Sequence, residues 1–143
     1  MTPRTLLLTA AGLLASLALS AQSAVGTWKT TDEKTGDPKS LIQIYERDGK
    51  MYGKIKQTLR PGAAKVCETC TGKRAGKPYV GMEIISGAEP DGDKEWDDGK
   101  IYDPESDNTY GLVMWIEDDP DVLYVRGKHW TGLYRTQTWR REK

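Results

Sequence analysis

The sequence predicts an all-β protein, a single antiparallel up-and-down β-barrel of about eight strands. Apolar and polar residues alternate over most of the chain, which is the side-chain period of a β-strand. Turn-forming residues separate these segments at short, regular intervals, a pattern typical of sandwiches and barrels. Links of hairpin length favour the barrel, and closure of a small sheet also removes two edges whose unpaired backbone groups invite aggregation.

The N-terminal segment, residues 1–21, is predicted to be a secretory signal peptide. Arg4 supplies a positive charge, residues 6–19 form an apolar run, and small residues follow at positions 20, 21, 23 and 24. Cleavage is expected between residues 20 and 24, which leaves a barrel domain over residues 22–143 in a periplasmic or secreted protein. The alternative is a retained membrane anchor, but the run is shorter than the ~20 residues that span a bilayer comfortably. We therefore expect no stable membrane insertion after cleavage.

The first three strands follow from alternation around turn residues. Residues 25–31 form a strand around Trp28, and the loop after it contains glycine and proline. Residues 41–47 and 51–59 alternate on either side of Asp48-Gly49. That dipeptide predicts a type I′ hairpin, because glycine tolerates the positive φ that this turn demands.

The remaining five strands are separated by one long loop and several turns. Residues 60–77 carry five basic side chains and both cysteines, and we interpret them as a basic loop. The strands that follow are expected at residues 79–86, 95–102, 109–117, 122–127 and 133–141. Asp98-Gly99 is interpreted as a tight turn, and Asp103-Pro104 begins the turn after the fifth strand.

Charge in the expected mature chain is high but balanced. It holds all 21 acidic residues and 20 of the 21 basic ones, for a net charge of −1. This balance argues against nucleic acid as a partner and against electrostatic attachment to anionic lipid. Five tryptophans and seven tyrosines, with no phenylalanine, suit strands that have one apolar and one wet face.

Cys67 and Cys70 are the only cysteines, and in an exported chain they are predicted to form a disulfide. Such a bridge closes a very small loop and acts as a local staple. A redox-active pair is the alternative, but it usually lies at a helix N-terminus, and no helix is predicted there. Structural zinc takes about four ligands, which these cysteines and the lone His129 do not supply. No metal or cofactor is therefore expected.

No catalytic residue is assigned. Motifs for nucleophilic catalysis, phosphate binding and zinc hydrolysis are missing from the sequence. His129 is interpreted as a surface histidine beside an aromatic residue. Aspartates are frequent in the predicted turns, where they usually stabilise the turn itself, although paired carboxylates also occur in hydrolases and calcium sites.

An ordered set of short motifs runs through the expected mature chain. In order they are Gly26-Thr27-Trp28, Cys67-x-x-Cys70-x-Gly72, Gly81-Met82-x-Ile84, Trp96-x-x-Gly99-x-Ile101-Tyr102-Asp103-Pro104, Tyr110, Leu123-x-Val125-x-Gly127 and Thr136-Gln137-Thr138-Trp139. The chain thereby resembles the bacterial secreted family known as domain of unknown function 2147. The resemblance implies a lipocalin-like, or calycin, barrel and no established activity.

The lipocalin likeness also implies a structural lock. In lipocalins, a Gly-x-Trp on the first strand packs at the closed end of the barrel, beneath a basic residue from the last strand. Gly26 and Trp28 match this pattern, and Arg140 or Arg141 would supply the cation. A guanidinium over an indole contributes roughly 0.5–2 kcal/mol.

Three functions remain open. The first is binding of a small, largely apolar molecule inside the barrel. Its predicted lining residues are Ile42, Ile44, Met82, Ile84, Trp96, Tyr102 and Trp115. Met114 is a further candidate, although it and its neighbour Trp115 must face opposite sides. The second function is an envelope interaction or maintenance role through the surface and the basic loop 60–77, with an unknown protein partner. The third is an enzyme, either a thiol–disulfide exchanger or a hydrolase, and the overall expectation is that the protein is not an enzyme.

Overall fold

The computed structural model describes Gly12 and residues 23–143 and shows a closed barrel of eight antiparallel strands. The strands are β1 (Gly26–Thr31), β2 (Pro38–Arg47), β3 (Lys50–Thr58), β4 (Glu83–Pro90), β5 (Glu95–Asp103), β6 (Asn108–Trp115), β7 (Val122–Lys128) and β8 (Tyr134–Arg141). Each strand pairs with its neighbour in sequence, and β1 pairs with β8. The predicted up-and-down barrel is confirmed. The predicted signal peptide lies, apart from Gly12, outside the described residues.

The hairpin between β2 and β3 has the turn that its sequence predicts. Asp48 and Gly49 have φ angles of 53° and 76°. Positive φ at both central residues is the geometry of a type I′ turn, whose twist matches that of the flanking strands.

Two local predictions are wrong, at β4 and β5. The fourth strand begins at Glu83 rather than at residue 79, and it continues through Gly87 to Pro90. Asp98-Gly99 makes no turn, since it lies inside β5. Asp98 has a φ of 54°, and the register with β6 shifts between Trp96 and Gly99. This β-bulge exchanges the inward and outward positions along the strand.

The two ends of the barrel differ. We call the connections at one end the closed-end turns (residues 48–49, 91–94 and 116–121) and those at the other end the open-end loops (residues 32–37, 59–82, 104–107 and 129–133). Large side chains fill the interior near the closed end, where Trp28, Met114 and Leu123 are fully buried. Within the described residues, no helix is long and apolar enough to cross a membrane.

At the closed end, the structure brings Arg141 onto Trp28, the two side chains that the resemblance connects. The guanidinium carbon of Arg141 lies 4.3 Å from the ring centroid of Trp28. The guanidinium also donates hydrogen bonds to the carbonyl oxygens of Val25, Ser23 and Pro120 at 2.9–3.0 Å. The structure therefore places Arg141 over the indole, while Arg140 is exposed.

Closure of the barrel depends on a short seam between β1 and β8. Only Trp28–Arg141 and Lys29–Arg140 pair there, whereas β7 and β8 pair over seven residues. One further hydrogen bond joins the Glu142 N–H to the Thr27 carbonyl at 2.8 Å. All these contacts lie in the closed-end half, so the two strands separate towards the open end.

Candidate functional site: the barrel cavity

The open half of the barrel contains a cavity of about 510 Å³. This volume lies within the ~300–1,000 Å³ of typical small-molecule sites. Apolar side chains line its inner walls: Ile42, Ile55, Ile84, Ile101, Val125 and Trp139. Two glycines of neighbouring strands differ in their surroundings. A Cβ on Gly127 would meet Tyr110 of the cavity wall at 3.5 Å, whereas a Cβ on Gly111 would meet Lys128 at 3.7 Å. Gly127 borders the cavity and Gly111 does not.

Polar groups form a second band on the wall of the cavity. The hydroxyls of Thr30 and Ser40 lie 3.1 Å apart, and Thr58 and Tyr110 also line the wall. Gln137 accepts a hydrogen bond from the indole N–H of Trp139 at 3.1 Å. This bond uses one of the two lone pairs of the amide oxygen and leaves the amide nitrogen of Gln137 as a donor for a ligand.

Charged side chains surround the mouth in opposed pairs. Arg60 contacts Asp32 at 2.5 Å and Glu105 at 3.0 Å, and Lys39 contacts Glu105 at 3.1 Å. Backbone N–H groups of the β1–β2 loop hold the pKa of Asp32 below its usual value, and Arg60 lowers it further. The mouth therefore carries compensated rather than single-sign charge.

One side of the cavity faces the seam between β1 and β8. Thr30 and Thr31 line it from β1, while Arg135 and Gln137 line it from β8. No backbone pairing joins these stretches. Instead, the Arg135 Nε donates to Glu33 at 2.6 Å, so an ion pair spans the gap that the strands leave.

The long β3–β4 loop packs against the β5–β6 turn. A disulfide joins Cys67 and Cys70, as predicted, with a Cα–Cα distance of 5.5 Å. The sulfur of Cys67 lies 3.8 Å from the carbonyl oxygen of Pro104. The two cysteines are 0% and 5% exposed, and burial limits the access that thiol–disulfide exchange requires.

Tyr102 joins the same loop to the barrel. Arg74 covers its ring at 3.8 Å, and its hydroxyl donates to Asp107 at 2.6 Å. Asp107 also accepts the Thr71 hydroxyl at 2.6 Å. Burial, followed by the contact with Asp107, raises the pKa of Tyr102 to about 12. The hydrogen bonds from Thr71 and Tyr102 lower the pKa of Asp107.

The structure distributes the predicted lining residues over four places. Ile42, Ile84 and Tyr102 border the cavity. The others do not border it: Ile44 and Trp96 are buried towards the closed end, Met82 lies beneath the β3–β4 loop beside a second, shallow pocket, and Trp115 lies on the outer face.

Trp115 is the clearest correction among them. Its ring stacks on Tyr124 at 5.4 Å, and its N–H donates to Glu117 at 3.2 Å. Its neighbour Met114 is fully buried and faces inward, opposite Val125. Strand alternation therefore places Trp115 outside.

Sequence reasoning did not select most of the wall, including Ile55, Ile101, Val125, Gln137 and Trp139. The signal for four of them was present, since Ile101, Val125, Gln137 and Trp139 belong to the short motifs of the second half of the chain. On β7 and β8, the alternation of Val125, Gln137 and Trp139 with outward-facing polar or charged residues marks the inward face.

Other chemistry finds little support in the part of the chain that the structure describes. No group of three or more His, Cys, Asp and Glu side chains is placed there to hold a metal ion. His129 is exposed, with its ring centroid 5.4 Å from that of Trp130.

A closed, eight-stranded antiparallel barrel with a cavity at one end defines the lipocalin-like class of proteins. The sequence places the chain more narrowly. Residues 26–141 match the family described as uncharacterized protein conserved in bacteria, domain of unknown function 2147, and the chain belongs to this family.

A solved structure with the same fold comes from Helicobacter pylori. It is the protein HP1028, described as belonging to the lipocalin family, with a TM-score of 0.74 and 19% sequence identity. The match covers 85% of this chain and 84% of that one. No curated protein matches the sequence. At this level of identity the likeness concerns the fold.

Proposed function

We propose that the protein is an exported binding protein that holds one small, largely apolar molecule in the open half of its barrel. The observation that carries the proposal is the cavity of about 510 Å³, whose wall is apolar at Ile42, Ile84 and Val125 and polar at Gln137. Apolar walls with a few placed polar groups are typical of small-molecule sites. The role requires binding alone and no catalytic step.

The wall also indicates the chemistry of the ligand. An apolar body would contact the isoleucines, and one acceptor group would meet the amide nitrogen of Gln137 or the hydroxyl of Tyr110. Since the charges of Arg60 and Arg135 are already paired at the mouth, a neutral ligand fits better than an ion. The buried disulfide supports a location outside the cytoplasm.

Two glycines on neighbouring strands allow a direct test. Gly127 lines the cavity and Gly111 lies outside it, and neither has a positive φ, so both positions tolerate a side chain. We expect Gly127→Leu to project into the cavity and weaken binding of an apolar fluorescent probe at least about tenfold, the loss of ~1.4 kcal/mol. Gly111→Leu should bind the probe as the unmodified protein does.

The measurement is a probe titration, with native mass spectrometry of the protein purified after export. A co-purified small molecule that is retained by Gly111→Leu and lost by Gly127→Leu would support the proposal. Equal probe binding by both variants, with no molecule bound in the native spectrum, would contradict it.

A further inference from the structure

The β7–β8 loop and the first residue of β8 expose large apolar side chains to an unusual degree. Trp130 is 90% exposed, Leu133 74% and Tyr134 62%. Among the described residues, Trp130 is the most exposed large hydrophobic side chain. Single exposed residues need no explanation, but a cluster at one tip marks an interaction site.

The backbone of this loop holds Trp130 at the tip. The Gly132 N–H donates to the His129 carbonyl at 2.9 Å, and the His129 N–H donates to the Leu133 carbonyl at 2.7 Å. The Thr131 N–H donates to His129 Nδ1 at 3.3 Å. Trp130 therefore occupies a hydrogen-bonded turn that presents its ring to the solvent.

The exposed apolar surface continues into the cavity. Leu133 and Tyr134 line the mouth on the same side as His129. Whatever covers the tip of this loop therefore also lies beside the opening of the barrel.

Charge is segregated along the molecule, although its sum is close to zero. The open-end part of the hairpin, residues 126–135, contains three basic side chains and no acidic one, whereas Arg140 and Arg141 lie towards the closed end. The closed-end turns carry seven acidic residues and one lysine, whereas the open-end loops carry six acidic and six basic residues. An anionic surface would thus repel the closed end and favour the open end with its basic hairpin.

We propose that the β7–β8 hairpin docks the open end of the barrel on an anionic lipid bilayer, with Trp130 in the headgroup region. Tryptophan is favoured at membrane interfaces because its ring is amphipathic. Basic residues beside it are attracted by anionic headgroups. The net charge of the mature chain argues against attachment to anionic lipid, but it is a sum over the whole surface. Docking depends on the charge at the tip that meets the bilayer, and that charge is positive.

A second copy of the chain fits this surface less well. A two-fold dimer through the same tip would bring two identical basic hairpins together. In such a dimer, one convex turn would also meet another convex turn, so little surface would be buried. A bilayer instead accepts a convex apolar tip.

Vesicle binding tests the proposal with the protein purified after export, its mass checked so that the N-terminal segment is absent. The vesicles contain phosphatidylethanolamine with a quarter phosphatidylglycerol, and vesicles of phosphatidylcholine alone serve for comparison. We expect binding to the anionic vesicles with a blue shift of tryptophan emission, and weaker binding in high salt. Trp130→Ala should lower the partition coefficient about tenfold, whereas Val25→Ala, an exposed apolar residue at the other end, should leave it unchanged.

Quenching of the unmodified protein by lipids brominated along the acyl chain provides a second readout, which does not depend on the folding of a variant. Absence of vesicle binding, or equal binding by Trp130→Ala, would overturn the proposal. Self-association that requires Trp130 without any vesicle binding would also overturn it, in favour of the second copy. Docking by a protein whose cavity binds nothing would support this inference and contradict only the proposed function.

Discussion

At the scale of single residues, Arg141 has the largest set of interactions at the closed end. Its guanidinium stacks on Trp28, bonds three carbonyl oxygens and lies 3.3 Å from Asp121. These contacts join residues 23–25, which precede β1, to the β6–β7 turn and the last strand. A planar group with several fixed donors is required, since the ammonium group of lysine cannot reproduce this pattern.

Substitution of this arginine should therefore destabilise the fold. We expect Arg141→Met to lower the free energy of unfolding by about 1–3 kcal/mol, through loss of the cation–π contact and the charge-assisted hydrogen bonds. Urea denaturation measures the change. Arg140→Met is the matched control, because Arg140 is exposed, and it should change stability by less than about 0.5 kcal/mol. Equal effects of the two substitutions would contradict the lock.

The choice between the two arginines shows what alternation can decide. Arg141 shares its face of β8 with the buried Trp139, and Arg140 takes the other face. The Gly-x-Trp motif predicts that a cation is needed, but the sequence alone does not state which face of β8 is inward. Once Trp139 is known to be buried, the alternation along β8 places Arg141 on the inward face.

At the scale of strands, bulges explain why the lining was only partly predicted. Trp96 faces inward opposite Met114, and uninterrupted alternation would also place Tyr102 inward. The bulge at Asp98 shifts the alternation by one residue, so Ile101, which was not predicted, takes the inward position, while Tyr102 borders the cavity with its ring packed against Arg74. Since a one-residue shift exchanges the two faces, a bulge that the sequence does not announce reverses every later position on that strand.

The contact between Tyr102 and Asp107 gives the stability of the fold a defined pH dependence. Burial and Asp107 raise the pKa of Tyr102 from 10.0 to about 12 in the folded protein. The unfolded chain therefore loses this proton at lower pH than the folded one. Below pH ~10, Tyr102 therefore makes its full contribution to the free energy of unfolding. This contribution is lost as the pH rises towards the pKa of Tyr102 in the folded state.

We expect a titration of phenolate absorbance to show a last component near pH 12 that is missing in Tyr102→Phe. The stability of Tyr102→Phe should also fall less than that of the unmodified protein as the pH rises from about 10. Tyr124→Phe, on the outer face beside Trp115, serves as the control. Identical titration curves for the protein and Tyr102→Phe would show that this side chain is not held as described.

At the scale of the whole molecule, the sequence predicts the barrel better than the cavity. Strand number, order and hairpin connections follow from local alternation and turn chemistry, which are encoded in neighbouring residues. The cavity depends on where the packed interior stops, and that is set by side chains from all eight strands together. Trp28 and Trp139 illustrate this, because both are buried while only Trp139 borders the cavity.

The seam between β1 and β8 is where the closed barrel is held by the fewest backbone bonds. Two residue pairs and the Glu142–Thr27 hydrogen bond close the seam in its closed-end half. In its open-end half, beside the cavity, the Arg135–Glu33 ion pair spans the seam. Local opening there costs less than opening of β7 from β8, which pair over seven residues. The seam is therefore the place where the wall of the cavity yields first.

Hydrogen exchange followed by mass spectrometry tests this order of opening. We expect the amides of β1 to exchange faster than those of β7, with the difference largest at Thr30 and Thr31, which have no backbone partner on β8. Glu33→Gln removes the ion pair that spans the gap and should accelerate exchange in the part of β1 near the open end. The stability should change little, because exposed ion pairs contribute about 0–1 kcal/mol. Lys50→Gln breaks an ion pair with Glu89, away from the seam, and should leave β1 unchanged. Uniform exchange along β1, or an equal effect of the two substitutions, would mean that the barrel opens elsewhere, and access to the cavity would then run through the mouth alone.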